Sequence, residues 1–320
     1  MTKFQRIILS YTPLPFLLRK SKKWFLPGFE GLALYDVIQF FRRQLKTHGL
    51  SERAAAISYN FIMAIPPSIL FLFTLIPNLP FVSKKIIKLQ LHSLIVDVVP
   101  NKLYNKQVIS FFDSFIDSSK LGLLSFGLLL TFYFASNGMM GIMRSFNKKY
   151  VGFERRKGIV VRWVALRLTI LIFSLILAYL FLLVMEGSLL KMSVKNHLLR
   201  DFIGYTRWAF IVVLVYLIIG CIFKYAPAIR KKWNFSSPGT ILATVLSLVA
   251  SVVFAIFVNN FGKYNALYGS IGTIMMIMAL IYINSLALLI GFELNVSIHS
   301  LKVMAAQRID QEEEELNNKS

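Results

Sequence analysis

The sequence predicts an all-α, polytopic membrane protein: six transmembrane helices, an N-terminal amphipathic helix at the membrane interface, and a small helical external cap. Three observations carry this. The 320-residue chain is 56% hydrophobic, with a mean hydropathy of +0.63, whereas an ordinary soluble domain is about 45–50% apolar. The excess is gathered into runs close to the roughly 20 residues that a helix needs to cross about 30 Å of hydrocarbon. The runs do not alternate apolar with polar residues, as barrel strands do, and in lipid only helices or closed barrels satisfy their own backbone.

Taken in order, the spans are Ala55 to Ile76, Leu121 to Met143, Trp163 to Met185, Ala209 to Phe223, Thr240 to Val258 and Ile271 to Leu294. The fourth is the shortest, and Trp208 and Tyr225 flank it as interfacial aromatics do. Residues 1–54 form an N-terminal segment, 55–300 the transmembrane domain and 301–320 an acidic tail expected to be disordered. Before the first span, Leu34, Val37, Ile38 and Phe41 make an apolar stripe between Leu32 and Lys46, flanked by Arg42, Arg43 and Lys46. Such a helix lies along the interface. The apolar stretch Ile7 to Leu18 is broken by Pro13 and Pro15 and reads as no cleavable signal. In the loop 77–120, Ile87, Leu91, Leu94, Ile95 and Val98 recur at helical spacing before Pro100, and Leu103 to Ile116 suggests a second helix, together forming the cap.

Charge sets the expected orientation. With both termini inside, cytoplasmic segments carry 23 Lys and Arg and the opposite side 11, in accord with the positive-inside rule. The net charge of +21 does not point to nucleic acid, because its clusters (Arg19, Lys20, Lys22 and Lys23; Arg155, Arg156 and Lys157) sit beside spans. There they suit membrane lipids with anionic headgroups, at about 1 kcal/mol per residue. His48, His92, His197 and His299 are scattered without metal-ligand spacing, and the lone Cys221 reads as a small apolar residue. No phosphate loop or nucleophile elbow is present. No catalytic residue, metal or cofactor is expected, and the chain reads as a non-enzyme.

A few polar and helix-breaking residues within the spans are candidates for a pathway or gate. Pro66 and Pro67 remove two amide donors near the middle of the first span, so the carbonyls of Ile62 and Met63 need other partners. Two readings stand: a kink repaired by a neighbouring helix such as the sixth with Asn284, or a gating point. Ser58 and Asn60 would extend a polar path on one side of the break, Ser68 and Thr74 on the other. Glu293 ends the sixth span near Arg144, which suggests either a structural ion pair or a functional carboxylate. Asn284, Gly291 and Asn295 share one helix face, where small and amide residues suit close packing. Tyr268 to Gly272 reads as a turn entering the last helix.

The chain resembles the YihY/BrkB family. The resemblance rests on Ser58-Tyr59 through Pro67, Ser145 through Tyr150 with Asn147, Tyr225 to Pro227 and Ser237-Pro238-Gly239. Its strongest part is Tyr264 through Gly272, with Tyr268 and Gly269, followed by Tyr282 and Gly291 to Asn295. It covers roughly 36–300; a second proline at Pro66 and Ile281 in place of a frequent tryptophan depart from it. The resemblance implies a six-helix inner-membrane protein of unsettled activity. Family members were once labelled ribonuclease BN, an attribution later withdrawn; others are linked to serum resistance, envelope lipid export or cation exchange. Handling of a lipid-like or amphipathic envelope molecule is the leading expectation. A cation/proton antiporter and a non-transporting scaffold are the alternatives.

Overall fold

A computed structural model describes residues 24, 27–47, 49–75, 88, 92, 109–110, 113, 121–147, 150–154, 156, 158–193, 197–230, 232–260 and 263–317. Seven helices are described: α1 (Leu34–Thr47), α2 (Leu50–Leu75), α3 (Leu121–Phe146), α4 (Gly158–Ser193), α5 (His197–Tyr225), α6 (Pro238–Asn260) and α7 (Lys263–Asn317). Among the described residues there is no strand, only an isolated bridge between Phe153 and Ile229. Four segments are long and apolar enough to cross a membrane: Gly158–Tyr179, Trp208–Tyr225, Pro238–Val258 and part of Ile274–Leu316. The expected cap lies outside the described residues, apart from isolated positions such as His92, whose Nε2 is 3.0 Å from Asp113 Oδ1.

Each helix from α2 to α7 packs on its successor, and α7 returns to α2, so the six close into a ring, with α1 lying against α7. Among the described residues, the buried core is concentrated at one end of that ring. The core joins Ile57 of α2, Met143 and Phe146 of α3, Ala165 of α4, Phe223 of α5, Ala243 of α6 and Leu289, Phe292 and Val296 of α7. Phe292 is the hub: its ring stacks on Phe146 at 3.7 Å, and Trp233, Tyr150, Phe153 and Phe223 surround it at 5.7–6.3 Å. Such a cluster of rings adds edge and stacking terms to a large area removed from water. Towards the other end, no described side chain is buried in α2 after Ala64, in α4 after Thr169, in α5 before Ile219, in α6 after Thr244, or in α7 over 274–284.

Several boundaries differ from expectation, each for a local reason. α2 begins at Leu50 rather than Ala55 and runs unbroken through Pro66-Pro67. Two missing donors remove two bonds, while the turns on either side persist, and the Ser68 hydroxyl donates to the Ala64 carbonyl (2.7 Å). The expected turn at Tyr268–Gly272 is helical, because α7 already starts at Lys263. The tail is also helical, through Asp310–Glu315 to Asn317. Propagation from an existing helix needs no new nucleus, and glutamate is a good helix former. α1 matches the predicted amphipathic helix, with Val37 buried against Ile298 while Ile38 stays exposed.

Candidate functional site: a buried arginine, glutamate and tyrosine

At the packed end, three polar side chains meet inside the core. Arg53 sits on the first turn of α2, on the same face as Ile57 one turn on. Glu293 sits on α7 beside the aromatic hub, and Tyr150 lies in the α3–α4 connection. Glu293 is 0% and Arg53 6% exposed. The Arg53 guanidinium pairs through Nη1 with Glu293 Oε1 and donates from Nη2 to the Ser145 carbonyl at 2.7 Å. The Tyr150 hydroxyl donates to the same Glu293 Oε1 at 2.6 Å. Burial first, then the adjacent Glu293 carboxylate, push the Tyr150 phenol well above its ordinary value, so it stays a neutral donor. Among the described residues, Glu293 Oε2 and Arg53 Nε have no hydrogen-bond partner. A buried network left incomplete is costly and sensitive to any rearrangement around it.

This corrects the expected pairing of Glu293 with Arg144. Arg144 is exposed, whereas its neighbours Met143 and Ser145 are buried. Successive helical residues differ by about 100°, which turns Arg144 away from the core. Arg53 was missed because the first span was started two residues after it. Its signal was the spacing of Arg53, Ile57 and Phe61, which extends the apolar face back one turn.

The other candidates are drawn into helix packing. Asn295 Oδ1 accepts from the Gly239 amide (2.8 Å), and its Nδ2 donates to Ser237 Oγ (2.8 Å), while Ser237 Oγ accepts from the Thr240 amide at 3.3 Å. Ser237 is thus the N-cap of α6, Pro238 the first helical residue, and Asn295 supplies the remaining cap from α7. A Cβ at Gly239 would collide with the Gly291 carbonyl, and one at Gly291 would lie 2.6 Å from Ala243 Cβ, so the glycines let α6 and α7 touch backbone to backbone. Among the described residues, the hydrogen bonds of Asn284 go to α6 and to its own helix rather than to α2. Asn284 pairs with Ser247 and Ser251 of α6, its Nδ2 lying 3.3 Å from Ser251 Oγ.

On α2, the Ser58 hydroxyl donates to the Ala54 carbonyl at 2.7 Å and to Ser285 Oγ at 3.4 Å. Asn60 bonds the Ala56 carbonyl at 2.7 Å and lies against Gly141 of α3. Tyr59 and Pro66 are exposed. Tyr282 shares a 2.8 Å hydrogen bond with Ser51, joining α7 to the start of α2. Pro227 is buried just past α5, whose last carbonyls are bonded by Arg156, whereas Asn147 is exposed. Gly272 is buried; the side chains of Pro67, Thr74, Tyr264 and Tyr268, and the surroundings of Gly269, lie outside what the structure describes. Among the described residues, no three His, Cys, Asp or Glu gather as a metal site would require.

Residues 41–317 match the family described as Virulence factor BrkB. The chain is 28% identical over 265 residues to the ribonuclease-like protein YfkH of Bacillus subtilis, covering 80% of this chain and 92% of that protein. It is 22% identical over 269 residues to a UPF0761 membrane protein of Haemophilus influenzae, covering 82% and 95%. No solved structure matches. With 41–317 aligned, with membrane proteins among its relatives, and with four helices apolar enough to span a bilayer, the chain belongs to the BrkB family of membrane proteins.

Proposed function

We propose that this is a six-span inner-membrane protein, with both termini in the cytoplasm, that moves or handles an amphipathic envelope molecule. One observation carries the reading: the helices close into a ring whose core, among the described residues, is concentrated at one end. By charge that end faces the cytoplasm. A packed core at one face and exposed apolar side chains of α6 and α7 towards the other, such as Val252, Val253, Ile274 and Met278, suit a cargo with a polar head and an apolar tail. Arg53, Glu293 and Tyr150 tie α2, the α3–α4 connection and α7 together across the packed core and act as its latch. The protein is not an enzyme in this reading, and the ribonuclease-like name of the Bacillus relative is not carried over to it.

A second reading, cation/proton antiport, draws on Glu293, a buried carboxylate with one oxygen unpaired among the described residues. Liposomes carrying the purified protein separate the two when labelled phospholipid movement and proton-coupled cation flux are measured in parallel. Accelerated lipid movement without cation flux supports the proposal. Cation flux alone transfers the assignment to antiport, and silence in both assays overturns transport in favour of a scaffold.

A further inference from the structure

Between α4 and α5, at the packed end, lies a second site unrelated to the triad. A cavity of about 340 Å³ near Trp233 contains Lys302, but that lysine is already paired with Glu30. A cavity of about 300 Å³ at the α4–α5 seam is different in kind: among the described residues it is lined by Arg156, Arg167 and Lys232, by Tyr225, and by Val164, Leu168 and Leu171, with none of them acidic. Glu154, whose charge is felt at Arg156, is itself paired with Arg230 at 2.8 Å.

The three cations are held differently. Arg156 donates to the carbonyls of Tyr225, Ala226 and Pro227 at 2.9–3.3 Å, which covers the negative end of the α5 dipole. Lys232 lies over the Tyr225 ring at 5.1 Å. Arg167 is exposed, forms no hydrogen bond or ion pair among the described residues, and sits inside the apolar segment Gly158–Tyr179. The exposed Trp163 precedes it by one turn, near the start of that segment, and tryptophans near span ends favour the membrane interface. An arginine there reaches back towards lipid phosphates. Val164, Leu168 and Leu171 recur at helical spacing along the same wall of α4.

We propose that this seam binds one anionic phospholipid of the surrounding bilayer, its phosphodiester between Arg167 and Lys232 and an acyl chain along Val164 and Leu171. Charge complementarity selects the headgroup, and the apolar wall selects a lipid over free phosphate. The occupant is a bound lipid rather than a cargo, and its detection involves no transport, so failure here and failure of the transport reading are separable.

The test uses the full chain, delipidated in neutral detergent, with phosphatidylglycerol, phosphatidylcholine or inorganic phosphate added back. Adducts are counted by native mass spectrometry. Wild type should retain phosphatidylglycerol in preference to phosphatidylcholine. Arg167→Gln with Lys232→Gln should weaken that adduct about thirtyfold, the effect of two interfacial cations. Both positions are exposed, so the variant should fold, and an unchanged melting temperature in detergent checks this. Val164→Trp, which fills the apolar wall, should weaken both lipids alike. Equal retention of the two lipids by wild type, undiminished phosphatidylglycerol on the double variant, or competition by inorganic phosphate at equal concentration would each overturn the site.

Discussion

Substituting Arg53 tests whether the triad is one coupled unit. Both partners are buried, at 6% and 0% exposure. Removing one member of a buried ion pair costs about 3–5 kcal/mol, largely because the other charge is stranded. Arg53→Gln leaves the Glu293 carboxylate with Tyr150 alone, and Glu293→Gln leaves Arg53 with the Ser145 carbonyl. Each single variant should therefore lose about 3–5 kcal/mol. The double variant strands no charge, so its loss should fall short of the sum by about 1–3 kcal/mol. Arg144→Gln, at an exposed position, should change stability by no more than about 0.5 kcal/mol. Reversible unfolding in mixed micelles, followed by circular dichroism, supplies all four values. Strict additivity of Arg53→Gln and Glu293→Gln, or an Arg144→Gln cost equal to that of Arg53→Gln, would refute the reasoning.

Phe292→Ala empties the centre of the aromatic hub and should cost about 3–5 kcal/mol in the same assay; a loss below about 1 kcal/mol would mean the ring cluster contributes little. Asn295→Ala removes the cap that α7 gives α6 and should cost about 1–2 kcal/mol, whereas Gly239→Ala, whose methyl meets backbone, should abolish folded protein on size exclusion. Cysteine at Asn147, exposed in the α3–α4 connection, should resist an impermeant thiol reagent added outside cells while cysteine at Ser118 reacts; the reverse pattern would invert the topology. Pro66→Ala with Pro67→Ala should insert and fold yet slow lipid movement in liposomes, and unchanged movement would remove the prolines from any pathway.

How far the sequence was legible depends on what each feature needs. Helices were readable because apolar runs of that length have few other solutions in lipid. Ends were less so: composition changes at Leu294, but the helical backbone has no reason to stop there and continues to Asn317. The stripe of Asn284, Gly291 and Asn295 was visible from spacing, and all three residues meet α6. Their partners Ser237 and Ser247 were not visible, since which helix faces the stripe is a tertiary fact. Arg53 shows the same limit. One turn of register decides whether an arginine is a loop charge or a core residue, and hydropathy windows blur that turn.

The clustering of contacts on residues 292–295 bears on biogenesis. Phe292 closes the ring cluster, Glu293 neutralises Arg53 from 240 positions away, and Asn295 caps a helix that began 57 residues earlier at Pro238. All three lie on α7, which is made after every other described helix. Until it arrives, the start of α2 holds an uncompensated arginine, Phe146 lacks its stacking partner and the α6 amides lack part of their cap. The nascent chain is therefore held short of its packed state until α7 is made, and a product truncated before α7 exposes those defects together, as a signal that membrane quality control can read.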